Sequence, residues 1–325
     1  MTTTQNRVSR SFGFKGVEQL RQYGLIAALI ILVIVFSFAS EYFFTSDNLL
    51  NVARQVAVTA IVAVGMTFVI ISGGIDLSVG SNLAFSGVVA AATFAQFGSG
   101  PLALLAGIVT GGLIGLLNGF ISAKGRITGF IVTLAMLGVV RGLAFIITGG
   151  NPITASADGF TFFGVGTLFT VPVPILFTVL VIIVGWFVLN KTSFGKYVYA
   201  VGGNERASRW TGLKVDGIQV SVYVIAGLLA GLAGVILAGR LGSGQPFAGD
   251  GFELDVIAAV ILGGSSLSGG RGRILGTVVG VLIIGVLNSG LTLLNVSTYW
   301  QMVVQGVIIL AAVLLDRWTR RSEAA

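Results

Sequence analysis

Apolar residues run along this chain in long unbroken stretches, and polar and charged residues gather in the gaps between them. Stretches of this kind lie near 23–39, 55–73, 82–98, 102–122, 128–148, 171–189, 218–239, 274–294 and 300–316. Each approaches the roughly 20 residues that a helix needs to cross a bilayer. A shorter run at 252–264 is interrupted by Gly263 and Gly264, and Gly73 with Gly74 ends the second run in the same way. The pattern predicts an all-α integral membrane protein with about ten transmembrane helices, one or two of them broken or short. Strands of a membrane barrel would instead alternate over segments of about ten residues. The continuity of the runs excludes that architecture.

Composition sharpens the picture. Only 10% of the 325 residues are charged, against roughly 25% in soluble domains, so the chain cannot cover a water-soluble core with a polar skin. The 48 glycines suit helices whose backbones approach closely in a membrane. There is no Cys and no His, which removes disulfides, thiol chemistry, cysteine metal sites and the commonest side-chain base. No cofactor and no metal site is expected.

The net charge of +7 is arranged as topology signals and not as a nucleic-acid surface. Arg7, Arg10, Lys15 and Arg21 precede the first run; Lys124 and Arg126 follow the fourth; Lys191, Lys196, Arg206, Arg209 and Lys214 follow the sixth. Arg271 and Arg273 lie beside the short tenth segment, and Arg317, Arg320 and Arg321 follow the last run. Ten spans with both termini inside place every one of these clusters in the cytoplasm. The opposite loops carry Glu41, Asp47, Asp158, Asp250, Glu253 and Asp255, with Arg54 and Arg240 as their basic members. The first run is longer than the apolar core of a signal peptide, and the topology works with it retained. The expected organisation is a cytoplasmic segment 1–21, a transmembrane domain 22–317 with a cytoplasmic loop at 190–217, and a tail 318–325.

No enzyme constellation is present. The Gly-rich GGSSLSGGRGR at 263–273 lacks the GxxxxGK[ST] spacing of a phosphate loop and its lysine, so any ATP hydrolysis must sit on another chain. The loop 190–217 is more informative. Asn204 is a good N-cap, Glu205 suits the positive end of a helix, and Gly212 is placed to stop it. A short helix follows, carrying Arg206, Ala207, Ser208, Arg209 and Trp210. It is either a solvated linker with topology charges or a docking helix, since Trp and Arg are typical interface anchors.

Three long stretches, GMTFVIISGGIDLSVGS at 65–81, GGNERASRWTGLKV at 202–215 and AAVILGGSSLSGGRG at 258–272, carry a resemblance that covers nearly the whole chain. The sequence resembles the permease subunits of ABC importers for ribose, xylose, arabinose, galactose and related simple sugars. The resemblance implies a multi-pass protein of the bacterial inner membrane that pairs with a second copy of itself. It further implies a cytoplasmic subunit that binds ATP, a periplasmic sugar-binding protein, and no nucleic-acid partner. Asn204, Glu205, Arg206, Ala207, Ser208, Arg209 and Trp210 would form the helix that couples permease to ATPase. Alternatives remain at this point: an importer of the same class for nucleosides or other small polar solutes, an ion-coupled carrier using Asp76 with Arg141, or a scaffold without transport.

Polar residues inside apolar runs are candidate pathway residues. Asp76 follows the Gly73–Gly74 break beside Ser78 and reads either as a water-accessible joint or as an N-cap for the next helix. Asn118 and Asn288 can bond either a sugar hydroxyl or a neighbouring helix. Arg141, inside the fifth run, needs a partner or water. Two internal echoes exist. Gly73 to Gly80 resembles Gly263 to Gly270 in direct orientation, and Asn118 with Phe130 resembles Asn288 with Trp300 in inverted orientation.

Overall fold

The computed structural model describes residues 9–324, with side chains described for residues 23–311 and for residue 314. Among the described residues the chain forms thirteen helices. They are α1 (Ser9–Ala39), α2 (Ser46–Ile71), α3 (Val79–Phe97), α4 (Gly100–Gly125), α5 (Gly129–Thr148), α6 (Asp158–Val165) and α7 (Val173–Lys191). There follow α8 (Ser193–Gly203), α9 (Glu205–Trp210), α10 (Val215–Leu241), α11 (Phe252–Leu262), α12 (Ile274–Leu293) and α13 (Thr298–Ala324). Strand is confined to two-residue pairings, Ile153–Thr154 with Ser243–Gly244 and Thr167–Leu168 with Val171–Pro172.

Every apolar run of the sequence lies on a helix, and α2, α4, α5, α7, α10 and α12 are each long and apolar enough to cross a membrane. Shorter apolar stretches occupy Tyr23–Ala39 and Thr298–Ala311. Helix α1 begins at Ser9, upstream of its apolar run, and α13 extends beyond residue 316. Arg7 and the side chains of Arg10, Lys15, Arg21, Arg317, Arg320 and Arg321 lie outside the described residues, as do the side chains of the segment 1–21 and the tail 318–325.

The core is built around α2, apolar on all sides and buried at every position from Ala57 to Ile71 except Thr59. A helix that is hydrophobic all round is surrounded by protein, and α2 packs against α7, α10, α11 and α12. Helices α4, α5 and α7 instead turn large apolar side chains such as Phe120, Ile146 and Leu180 outward, as lipid-facing helices do. The pair α4–α10 is held by small residues. Gly107, Gly111, Gly115 and Gly119 recur every fourth position, and a Cβ on Gly111 would come within 2.7 Å of Gly231 Cα. Only hydrogen in place of a side chain lets the two backbones approach so closely.

Two interruptions shape the interior. Helix α2 closes through Gly73, at φ +89°, with the Gly74 amide donating 2.9 Å to the Val69 carbonyl. Helix α11 closes the same way through Gly264, at φ +97°, with the Ser265 amide donating 3.1 Å to Val260. Both are left-handed glycine stops of the Schellman type. The two non-helical segments that follow meet each other, the Gly270 amide donating 2.8 Å to the Ile71 carbonyl. The chain between α10 and α11 is a two-residue strand followed by consecutive turns and lies along α3, with Gly244 against Val88 and Gly249 against Gly80. Helix α11 has 11 residues, about 16 Å of helix, roughly half the hydrocarbon thickness. The tenth run, 252–264, is therefore this one short helix and its glycine stop.

Candidate functional site

The expected short helix is α9. Asn204 Oδ1 accepts the Ala207 amide at 3.0 Å and caps it. At the other end Gly212 has φ +84°, and the Leu213 amide donates 3.2 Å to the Ser208 carbonyl. Ser208 faces inward, Arg206 and Ala207 are exposed, and Trp210 is 86% exposed. An indole so fully presented to water, beside an exposed guanidinium, is the composition of an interface anchor. Arg209 has a different role. Its guanidinium donates to Glu205 Oε1 at 2.9 and 3.2 Å and lies 2.7 Å from Asp216 Oδ1 at the start of α10. The Glu205 and Asp216 carboxylates hold its pKa above the ordinary value. Lys124, at the end of α4, stands 3.7 Å from Asp216. Arg209 thus orients α9 against α10 and leaves the outward face to Arg206 and Trp210.

Helix α8 connects α9 to the interior. Tyr199 donates 2.7 Å to the Gly272 carbonyl in the second interruption. Gly202 sits between the two interruptions, where a Cβ would strike the Ile71 carbonyl and lie 2.7 Å from the Gly270 amide. A Cβ on Gly269 would in turn lie 3.0 Å from both Gly202 Cα and Gly73 Cα. The junction thus packs α8, which leads into α9, directly against the end of α2.

Just beyond that junction, Asp76, Ser78 and Asn118 come together, each with no solvent exposure. Asp76 Oδ1 accepts from the Ser78 amide at 2.8 Å and from its hydroxyl at 2.6 Å, and Asn118 Nδ2 donates 2.8 Å to that hydroxyl. The unwound backbone here is met by two further side chains. Thr133 of α5 accepts the Leu77 amide at 3.1 Å and donates to Ile75, and Tyr223 of α10 donates 3.3 Å to the same Ile75 carbonyl. Unwound backbone inside a membrane requires such partners. Thr133 and Tyr223 carried no sequence signal, since neither lies near a break in the chain.

Asn288 lies apart from this cluster. It lines a cavity of about 470 Å³ between α2, α10, α11 and α12, and its Oδ1 accepts from Gln305 of α13 at 3.2 Å. Arg141 reaches the turn segment before α11, donating 2.7 Å to the carbonyls of both Pro246 and Ala248. No cluster of three or more potential metal-ligating Asp or Glu side chains occurs among the described residues.

The protein family described as the permease component of the branched-chain amino acid transport system matches residues 48–313. The ribose import permease protein of Escherichia coli K12 is 48% identical over 318 residues, covering 97% of this chain and 98% of that protein. The ribose import permease protein of Bacillus subtilis 168 is 49% identical over 319 residues, covering 98% and 97%. The L-arabinose transport system permease protein of Escherichia coli K12 is 40% identical over 302 residues, covering 93% and 92%. No solved structure gives a significant match.

Proposed function

We propose a function from one premise: the chain belongs to the permease-component family whose match spans residues 48–313. It is the multi-pass inner-membrane permease of an ABC importer for a monosaccharide such as ribose. The observation that carries the reading is the 48% identity to a ribose import permease over 97% of the chain. Identity at this level over nearly the whole chain supports carrying the reading over to the transport architecture.

The working unit is two copies of this chain, a cytoplasmic subunit that hydrolyses ATP, and a periplasmic protein that delivers the sugar. Ten crossings with both termini in the cytoplasm put α9 on the ATPase side. Helix α9 is the coupling helix, and the exposed Trp210 and Arg206 support that assignment. When ATP draws the ATPase subunits together, α9 moves with them, and α8 carries the movement to the junction at Gly73, Gly202 and Gly269. The permease then opens outward to a docked, loaded binding protein, and hydrolysis returns it. A neutral sugar demands few fixed charges, since selectivity can reside in the delivery protein.

The test is a detergent pull-down of tagged protein from its native membrane. An ATP-binding chain should accompany it, and the pair should separate when Arg206 and Trp210 are both replaced by Ala. A chain recovered alone, still moving ribose in ATP-free vesicles, overturns the reading in favour of a gradient-driven carrier.

A further inference from the structure

The three buried residues Asp76, Ser78 and Asn118 offer no surface to a solute. The cavity beside Asn288 does. Its volume of about 470 Å³ falls within the roughly 300–1,000 Å³ of ligand pockets. Gln55 and Thr59 of α2, Arg240 of α10, Phe252 and Asp255 of α11, and Asn288 of α12 face it. Arg240 and Asp255 are partly buried, and neither takes part in the ion pairs found among the described residues. Arg240 stands in the last turn of α10 and Asp255 in the first turn of α11. These two face one cavity and do not pair.

We propose that this cavity is the sugar-contacting site of the permease chain itself, a proposal that rests on the importer reading above. A sugar ring presents several hydroxyls that each donate and accept. It can therefore bridge a guanidinium and a carboxylate that are too far apart to meet. Asp255 accepts from one hydroxyl, Arg240 donates to another, and Asn288 donates through Nδ2, its Oδ1 being occupied by Gln305. Phe252 covers the C–H face of the ring. Because the walls come from α2 and from half-helix α11, both attached to the glycine junction, a shift there reshapes the site. That is the requirement for releasing a solute after capture.

The chain contains no Cys, so a single introduced thiol is unique on this chain, and labelling is read on the permease band alone. Thr59→Cys should react with a small water-soluble methanethiosulfonate in the assembled importer. Saturating ribose should slow the reaction at least about threefold, as occupancy of a single site predicts, and a sugar that the importer does not carry should leave the rate unchanged. In the same background, Asp255→Asn should leave the thiol reactive but abolish the protection. An unreactive thiol, a rate indifferent to ribose while ribose is transported, or protection that survives Asp255→Asn would each overturn the site. If the unmodified importer carries no sugar from a pentose and hexose panel, the importer reading falls instead, and the two failures are distinct.

Discussion

Asn118 donates its side-chain amide to the hydroxyl of Ser78 at 2.8 Å, a bond that spans 40 positions of sequence with both residues fully buried. It ties α4 to the start of α3 at the point where the backbone between α2 and α3 is unwound. The same hydroxyl bonds Asp76 Oδ1, so one amide holds a buried carboxylate in place through a serine.

That arrangement predicts a structural cost with little local relief. Asn118→Leu removes the donor and leaves the Ser78–Asp76 pair without its outer partner, at about 1–3 kcal/mol for a buried polar group losing its bond. Thermal unfolding in detergent should show a clear drop. A stability equal to that of the unaltered protein would remove the cluster from any structural role.

The glycine junction permits a paired test. Gly202→Ala drives a Cβ into the Ile71 carbonyl and the Gly270 amide, whereas Gly203→Ala meets nothing within 4 Å. Uptake should be abolished or nearly so in the first variant and retained in the second. Equal activity of the two would show that the junction does not carry the coupling movement.

Arg141 bonds Pro246 and Ala248 through one nitrogen, Nη1. A single donor atom can be replaced by the ammonium of lysine, so Arg141→Lys should restore much of what Arg141→Met loses. Hydrogen exchange across residues 243–251 is the direct readout. Exchange should rise by roughly tenfold or more in the methionine variant, the equivalent of losing about 1.4 kcal/mol of protection. An unchanged pattern would release Arg141 from its positioning role.

Trp210 and Arg209 should behave differently although they are adjacent. Trp210→Ala removes an indole that is 86% exposed and should leave the thermal stability of the isolated chain unaltered. Capture of the ATP-binding subunit should weaken by roughly 30-fold, equivalent to about 2 kcal/mol for an interface hot spot. Arg209→Gln acts on α9 itself through exposed ion pairs, worth about 0–1 kcal/mol, and should weaken capture only slightly. Titration of the partner onto immobilised permease separates the two. A larger loss from Arg209→Gln than from Trp210→Ala would reverse the assignment.

Much of this was readable along the chain. Asn204, Glu205 and Gly212 announce α9 because caps act within one turn of a helix. The glycine pairs at 73–74 and 263–264 mark the two interruptions for the same local reason. The direct echo between those segments has a physical counterpart in the shared glycine stop, although the positive-φ residues, Gly73 and Gly264, are offset by one place from the sequence match. The small helices α6 and α8 carry no such signal, because neither interrupts or extends an apolar run. The interior position of Arg141 called for a partner, but its carbonyls lie more than 100 residues away.

The sequence by itself determined that this chain is helical and membrane-spanning. Those properties follow from run length and charge content, which need no knowledge of neighbours. Only the tertiary structure decided that Asp76, Ser78 and Asn118 form one buried joint while Asn288 faces a cavity. It likewise brought Gly73, Gly202 and Gly269 to one point, and left Arg240 and Asp255 around the same space. Each of these depends on which helices become adjacent, and adjacency is set by the packing of many faces at once, most of them apolar and interchangeable in sequence.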